Sequence, residues 1–283
     1  MMMADRILKS VNAIPAFPPT SSKVAQLMRE TGYSLNQVAN IIKLDPSMTA
    51  NILKMANSAY FGAMYKISNI NDAVIYLGQE NLLRAISTAG VSRYYQKGAA
   101  GYFDKASDLW EHSVAVALMT QILSRMIYGR EDNTLYTSAL LHDVGKIIMG
   151  QFVRASLAKI SNLVTEQGKS FPEAEEEVLG IDHAELGGII AVHWNFPLEI
   201  SEAIAFHHRP DLLEKQDKTM PWIVYAADQA CLMLGLGDGV DGLAHRAVSQ
   251  VLKKLNMKMK DLEMSMVLLS DDLRQAKELI NII

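Results

Sequence analysis

Apolar residues recur at intervals of three and four in nearly every segment of this 283-residue chain, and strict alternation of apolar and polar residues is rare. A side chain three or four positions further on returns to the same face of a helix, whereas a half-buried strand needs a period of two. The pattern therefore predicts an all-α protein. With 49% of its residues apolar, the chain can bury a sizeable core, which excludes a disordered one. Acidic and basic residues are scattered through both halves, the formal charge is -4, and no concentrated cationic face is available to neutralise phosphates. Nucleic acid is thus not the expected partner. No apolar run is long enough to span a bilayer, so no membrane association is expected either. Cys231 is the single cysteine and cannot form an internal disulfide, which fits a reducing cytoplasm.

Punctuation along the chain sets the expected elements. The Ile14-Pro15-Ala16-Phe17-Pro18-Pro19 stretch reads as an extended lead-in, because proline fixes φ and biases the residue before it away from helix. Ser34 with Gln37 has capping-box spacing, and Asp45-Pro46 supplies an N-cap followed by proline at the first helical position. Lys97-Gly98-Ala99-Ala100-Gly101 breaks the periodicity and predicts a loop between subdomains, with residues 1–100 before it, 101–240 after it and 241–283 as a C-terminal helical extension. Ser107 is placed to cap a long helix to about Ile127, and a further helix is expected over 135–149. Ser170 with Glu173 and Asp182 with Glu185 repeat the capping pattern, the first helix ending at Gly180 and the second running from His183 towards Trp194. Pro197 should start a helix carrying His207 and His208 near its end, before Arg209-Pro210 forces a stop. Asp228 falls in the apolar segment from Met220 to Leu236.

The chemistry is concentrated in one half: six of the seven histidines lie between residues 112 and 208, and the first hundred residues contain none. Imidazole and carboxylate are both readily deprotonated near neutral pH and suit borderline divalent ions. Asp228 is the most informative residue, because Val224, Tyr225, Cys231 and Leu232 surround it at helical spacing and aim the carboxylate into an apolar face. Burying an unpaired charge costs several kcal/mol, so a metal, a basic partner or a raised pKa is required. His112, flanked by Leu109, Ala115 and Val116 with Asp108 one turn earlier, reads either as a core histidine or as a ligand. Leu140-Leu141-His142-Asp143-Val144-Gly145-Lys146 delivers two adjacent ligand types, a glycine that relaxes the backbone, and a lysine suited to a phosphate or a carboxylate. His207 and His208 project about 100° apart if helical, so both border one cavity only if it is broad enough for more than one ion; otherwise one faces solvent. His193 and His245 lack a partner pattern and read as structural or surface residues.

In that order, His112, His142-Asp143-Val144-Gly145-Lys146, His183, His207-His208 and Asp228 resemble the HD superfamily of metal-dependent phosphohydrolases. The resemblance implies an HD-like multi-helix bundle in which His112, His142, Asp143 and Asp228 chelate a metal. It is similar also to the HD-GYP branch, which hydrolyses cyclic di-GMP; there, the positions of Asp108, Lys146, His183, His207 and His208 enlarge the site. The chain departs from that branch where Arg209-Pro210-Asp211-Leu212-Leu213 stands in place of a Gly-Tyr-Pro loop. Ile14-Pro15-Ala16-Phe17-Pro18, Asp45-Pro46-Ser47-Met48-Thr49, Asn57-Ser58-Ala59-Tyr60-Phe61-Gly62, Ile70 to Gly78 and Trp194-Asn195-Phe196-Pro197 resemble the HDOD family over residues 7 to about 235. That resemblance implies a bacterial signalling module with an N-terminal helical subdomain. One or two divalent ions (Fe, Mn, Zn or Ni) are expected, with Asp143 and Lys146 carrying the chemistry on a phosphoester or nucleotide. The alternative is a regulatory module that binds a signalling protein and uses its metal site structurally.

Overall fold

The computed structural model describes residues 3–95, 101–103, 105–214, 219–237 and 248–276, and every element among them is a helix. Residues 97–100 of the expected interdomain loop, and His245, lie outside the described residues. No helix of the described residues is long and apolar enough to cross a membrane. The chain divides into two compact units, residues 16–93 with 271–283, and residues 1–15 with 94–270.

The first helix, α1 (Met3–Val11), precedes the proline stretch and was not foreseen in the sequence; it groups with the larger unit and packs on two of its helices. The smaller unit is built from α2 (Pro19–Leu27), α3 (Leu35–Ile42), α4 (Pro46–Ala56) and most of α5 (Ile70–Tyr95). Its caps follow the sequence. Ser34 Oγ accepts from the Gln37 N–H at 3.2 Å while Gln37 Oε1 accepts from the Ser34 N–H at 2.8 Å, and Asp45 Oδ1 accepts from the Met48 N–H at 3.0 Å. Asn57 closes the segment after α4 by exchanging two 2.8 Å hydrogen bonds with the backbone of Ile67. Gly78, at φ 66°, breaks α5.

The larger unit contains α6 (Ala106–Tyr128), α7 (Asn133–Leu141), α8 (Gly145–Gln167), α9 (Phe171–Leu179), α10 (His183–His193), α11 (Leu198–Ala205), α12 (Thr219–Met233), α13 (Val248–Lys254) and most of α14 (Met259–Gln275). Helix α6 is its axis: Val114 to Met119 are consecutive and all buried, the sign of a helix covered on every side. It packs on α7 and α12; α11 contacts α7 and α12, and α10 contacts α8, α9 and α11.

Three local expectations are corrected. Helix α6 starts at Ala106 with Lys105 at the N-cap, so Ser107 lies inside the first turn and its hydroxyl donates to Asp108. The 135–149 segment is two helices, not one: α7, capped by Asp132, ends at Leu141, a turn carries His142 to Val144, and α8 begins at Gly145. Helix α11 stops at Ala205, so His207 and His208 stand in the turn beyond it and are not bound to helical spacing. Gly145 is required by contact: a Cβ there would lie 2.0 Å from the His183 carbonyl oxygen, so only glycine lets α8 start against the first residue of α10. The expectation of a relaxed backbone gave the wrong reason for the right residue.

Candidate metal centre

Residues from α6, α8, α10 and α12 and from the turns after α7 and α11 come together inside the larger unit. Helix α6 brings His112 from its buried face; the α7–α8 turn brings His142 and Asp143; α8 brings Lys146 from its first turn. His183 is the first residue of α10, where Asp182 accepts from the Glu185 N–H at 2.8 Å and fixes the helix start. His207 and His208 follow α11, and Asp228 sits in the middle of α12. His112, His142, Asp143, Lys146, His183, His207 and Asp228 are all buried, whereas His208 is partly exposed.

Each of four imidazoles is held by its Nδ1, so that Nε2 turns inward. His112 Nδ1 lies 3.0 Å from the Leu236 carbonyl oxygen, His142 Nδ1 2.6 Å from that of Ala139, and His207 Nδ1 2.7 Å from that of Ile204. His183 Nδ1 is held differently, 2.6 Å from the carboxylate of Glu175. Because a carbonyl or carboxylate oxygen only accepts, each Nδ1 carries the proton, and a neutral ring then presents a lone pair at Nε2.

These atoms form two groups that share one residue. His112, His142 and Asp143 bring ligand-type atoms within 4.8 Å of one another, and so do Asp143, His183, His207 and His208. Asp143 stands between the groups: Oδ2 is 3.3 Å from His142 Nε2 and 3.7 Å from His112 Nε2, while Oδ1 is 3.4 Å from His183 Nε2 and 3.9 Å from His207 Nε2. Asp228 Oδ1 extends the first group at 3.1 Å from His112 Nε2. Asp108 is half-buried and accepts from Ser107 Oγ at 3.2 Å, and it is in neither of the two groups.

The electrostatics are those of a site built around fixed charges. Burial disfavours the charged form of Asp143, yet the charges of His142 and Lys146 hold its carboxyl well below the usual range. Burial likewise opposes ionisation of Asp228, and the hydrogen bond and charge of His112 overcome it to leave the carboxyl at about 2. His112 and His183 are pushed up against the effect of burial, by Asp228 and by Glu175 respectively. His207 is lowered to about 3 and His208 well below its usual value, by burial first and by neighbouring imidazoles second. Lys146 Nζ donates to Asp143 Oδ2 at 2.7 Å and lies 5.4 and 5.6 Å from the ring centres of Tyr102 and Phe103. The lysine thus meets a carboxylate, one of the two roles expected for it. The site opens on a cavity of about 130 Å³ walled by His112, Lys146, His183, His208, Tyr225 and Asp228, among others.

A family model for the HDOD domain matches residues 14–210, well over half the chain. The chain belongs to the HDOD family. Its fold is that of an HDOD domain protein of unknown function from Geobacter sulfurreducens, 26% identical, with a TM-score of 0.76 over 99% of this chain and 95% of that one. A Shewanella amazonensis protein, provisionally named a phosphohydrolase, shares the fold at 24% identity and a TM-score of 0.74, over 98% of this chain and 97% of its own. A Treponema pallidum protein without a described function is 23% identical over 210 residues, 73% of this chain; the match spans about 40% of that relative's length.

In this HDOD chain the residues present fit a divalent metal, on three grounds. His142 Nε2, His207 Nε2 and Asp143 Oδ1 are buried and make no hydrogen bond. Leaving a buried polar atom unsatisfied costs about 1–3 kcal/mol, and a bound cation would satisfy all three. The donors are imidazole nitrogen and carboxylate oxygen, and their outer nitrogens are held by the kind of acceptor that orients metal-binding histidines. Sequence reasoning missed Glu175, which is fully buried and accepts from the His183 N–H at 3.0 Å, from His183 Nδ1, and from the Tyr102 hydroxyl. The signal was present: Phe171, Pro172, Val178 and Leu179 flank Glu175 at helical spacing, the same apolar surround that singled out Asp228.

Proposed function

We propose that the cluster binds two divalent transition-metal ions with Asp143 between them, and that the protein hydrolyses a phosphoester in the adjoining cavity. The observation carrying this reading is that buried His142 Nε2, His207 Nε2 and Asp143 Oδ1, spread over the two groups that Asp143 joins, make no hydrogen bond. One ion would be held by His112, His142, Asp143 and Asp228, the other by Asp143, His183, His207 and His208. Fe, Mn, Zn and Ni all suit such a donor set. Ions of this kind supply an acidified water and Lewis acidity towards phosphoryl oxygens.

The protein's own groups prepare the rest. Asp143 accepts from Lys146, so the lysine's charge stands at the cavity wall, where it favours an anionic phosphoryl group. Asp228 and Asp143 stay ionised across the physiological range and offset the charge of bound cations. Tyr102 and Phe103 cover the lysine with their rings and keep its charge directed inward. The name given to the Shewanella amazonensis neighbour agrees with this chemistry. Purified protein supplied with Mn or Fe is expected to turn over at least one of phosphomonoesters, nucleotides or cyclic dinucleotides, with Asp143→Ala abolishing turnover.

A second reading, a regulatory module whose metal site is structural, is favoured by a different observation. In the smaller unit Leu44, Met64 and Tyr65 are 80, 87 and 83% exposed, and large apolar side chains so exposed are suited to a protein partner. In that reading the protein is a bacterial cytoplasmic signalling component, and it is inactive on every phosphoester class while still holding metal.

A further inference from the structure

Three of the four oriented histidines lean on backbone carbonyls, and only His183 leans on a charged carboxylate. Glu175 is itself strongly fixed. Its Oε2 accepts from both the N–H and Nδ1 of His183, and its Oε1 accepts from the Tyr102 hydroxyl, all in the buried interior. The neighbours of these residues are tied together as well: Arg209, directly after His208, pairs with Asp182, directly before His183, and with Glu176, directly after Glu175. The three segments that carry Glu175, His183 and His208 are therefore bound by an outer ion-pair triad as well as by the inner hydrogen bonds. His183 Nε2 and His208 Nε2 face each other at 2.8 Å. Among the described residues no such buttress stands behind His112 or His142, each of which has one carbonyl at its outer nitrogen.

A carboxylate accepting from the outer N–H of an imidazole makes the opposite nitrogen a stronger electron-pair donor than a neutral carbonyl does, and it fixes the ring's tautomer and plane. We infer that Glu175 is a positioning residue that makes the His183–His207–His208 position of the cluster the tighter of the two, so that it fills first. This rests on the two-ion reading above. Glu175 touches no bound ion in this arrangement; it acts through His183.

The test is a titration of chelator-treated full-length protein with Zn2+ alone, in competition with a chromophoric chelator. Two separable binding steps are expected in the unaltered protein. Glu175→Gln keeps the size and the oxygen that faces His183 but removes the charge, and should weaken the tighter step by about 10–100-fold while leaving the weaker step in place. His112→Ala should remove the weaker step and leave the tighter one. Tyr102→Phe, which leaves the carboxylate but takes away the donor at its Oε1, should weaken the tighter step less than Glu175→Gln does. Long-range nitrogen–proton NMR of the metal-free protein gives a readout independent of metal: His183 should be the Nδ1–H form, and Glu175→Ala should mix its tautomers. Circular dichroism establishes that each variant is folded, and if Glu175→Gln is not, Tyr102→Phe decides. Unchanged tight binding in a folded Glu175→Gln or Tyr102→Phe protein, or loss of the weaker step instead, overturns the inference. A protein that binds no Zn2+ at all overturns the metal reading itself, which is a different failure.

Discussion

His112 is gripped at both ring nitrogens from one stretch of chain: Asp228 of α12 at Nε2 and the Leu236 carbonyl, eight residues on, at Nδ1. Burial alone would lower its pKa, and the aspartate reverses that. In metal-free protein, Asp228→Asn removes the charge that opposes burial, so the His112 pKa should fall relative to the unaltered protein. An NMR titration of the ring protons measures it, and an unchanged value would mean Asp228 is not the controlling charge. Asp228 was legible in the sequence because its neighbours at three and four positions are all apolar, and an isolated charge there requires a partner. Glu175 was legible by the same criterion and was overlooked behind the run of glutamates that surrounds it. The tautomers of the histidines were not legible, since each depends on a carbonyl or carboxylate brought up by the fold.

At the scale of elements, the α7–α8 junction sets the geometry of the site. Leu140, Leu141, Val144, Ile147 and Ile148 continue helical periodicity straight through the break, which is why the sequence reads as one helix over 135–149. What stops it is tertiary: the turn at His142 to Val144 swings Asp143 between the two histidine groups, and Gly145 passes against the carbonyl of His183. Gly145→Ala should therefore cost at least about 2 kcal/mol, because the new Cβ meets backbone and not a yielding side chain. Thermal unfolding of metal-free protein checks this; a midpoint within a degree of the unaltered protein would show that α8 and α10 separate freely. The capped starts of α3, α4 and α10 were readable because a cap is local chemistry: one side chain, one backbone N–H, three residues apart. The end of α11 at Ala205 and the existence of α1 were not, since packing on other helices decides both.

Over the whole molecule, the histidines make stability depend on pH in two directions. His207 and His208 have folded values below that of a free imidazole, so as pH falls below about 6.5 the unfolded chain takes up protons that the folded one refuses. Stability of metal-free protein should then drop by about 1.4 kcal/mol per pH unit for each of the two rings, towards pH 3 for His207. His112 and His183 have raised folded values, so their contribution is full below about 6.5 and is lost as pH rises through those folded values. Metal-free protein is accordingly expected to be most stable near pH 6.5, by denaturant unfolding across a pH series. Saturating metal should remove the alkaline decline, because ligation needs deprotonated rings and gains from rising pH.

The helical fold follows from periodicity and caps, and the order of histidines and aspartates singles out the residues that the fold brings together, but the claim on which the function depends is that these residues hold metal. Elemental analysis of protein purified without chelator tests it most directly. The expected result is up to two equivalents of transition metal per chain, lost when His142 and Asp143 are replaced by Ala. Full-length, folded protein that carries no metal and acquires none on incubation with Mn2+, Fe2+ or Zn2+ would contradict it.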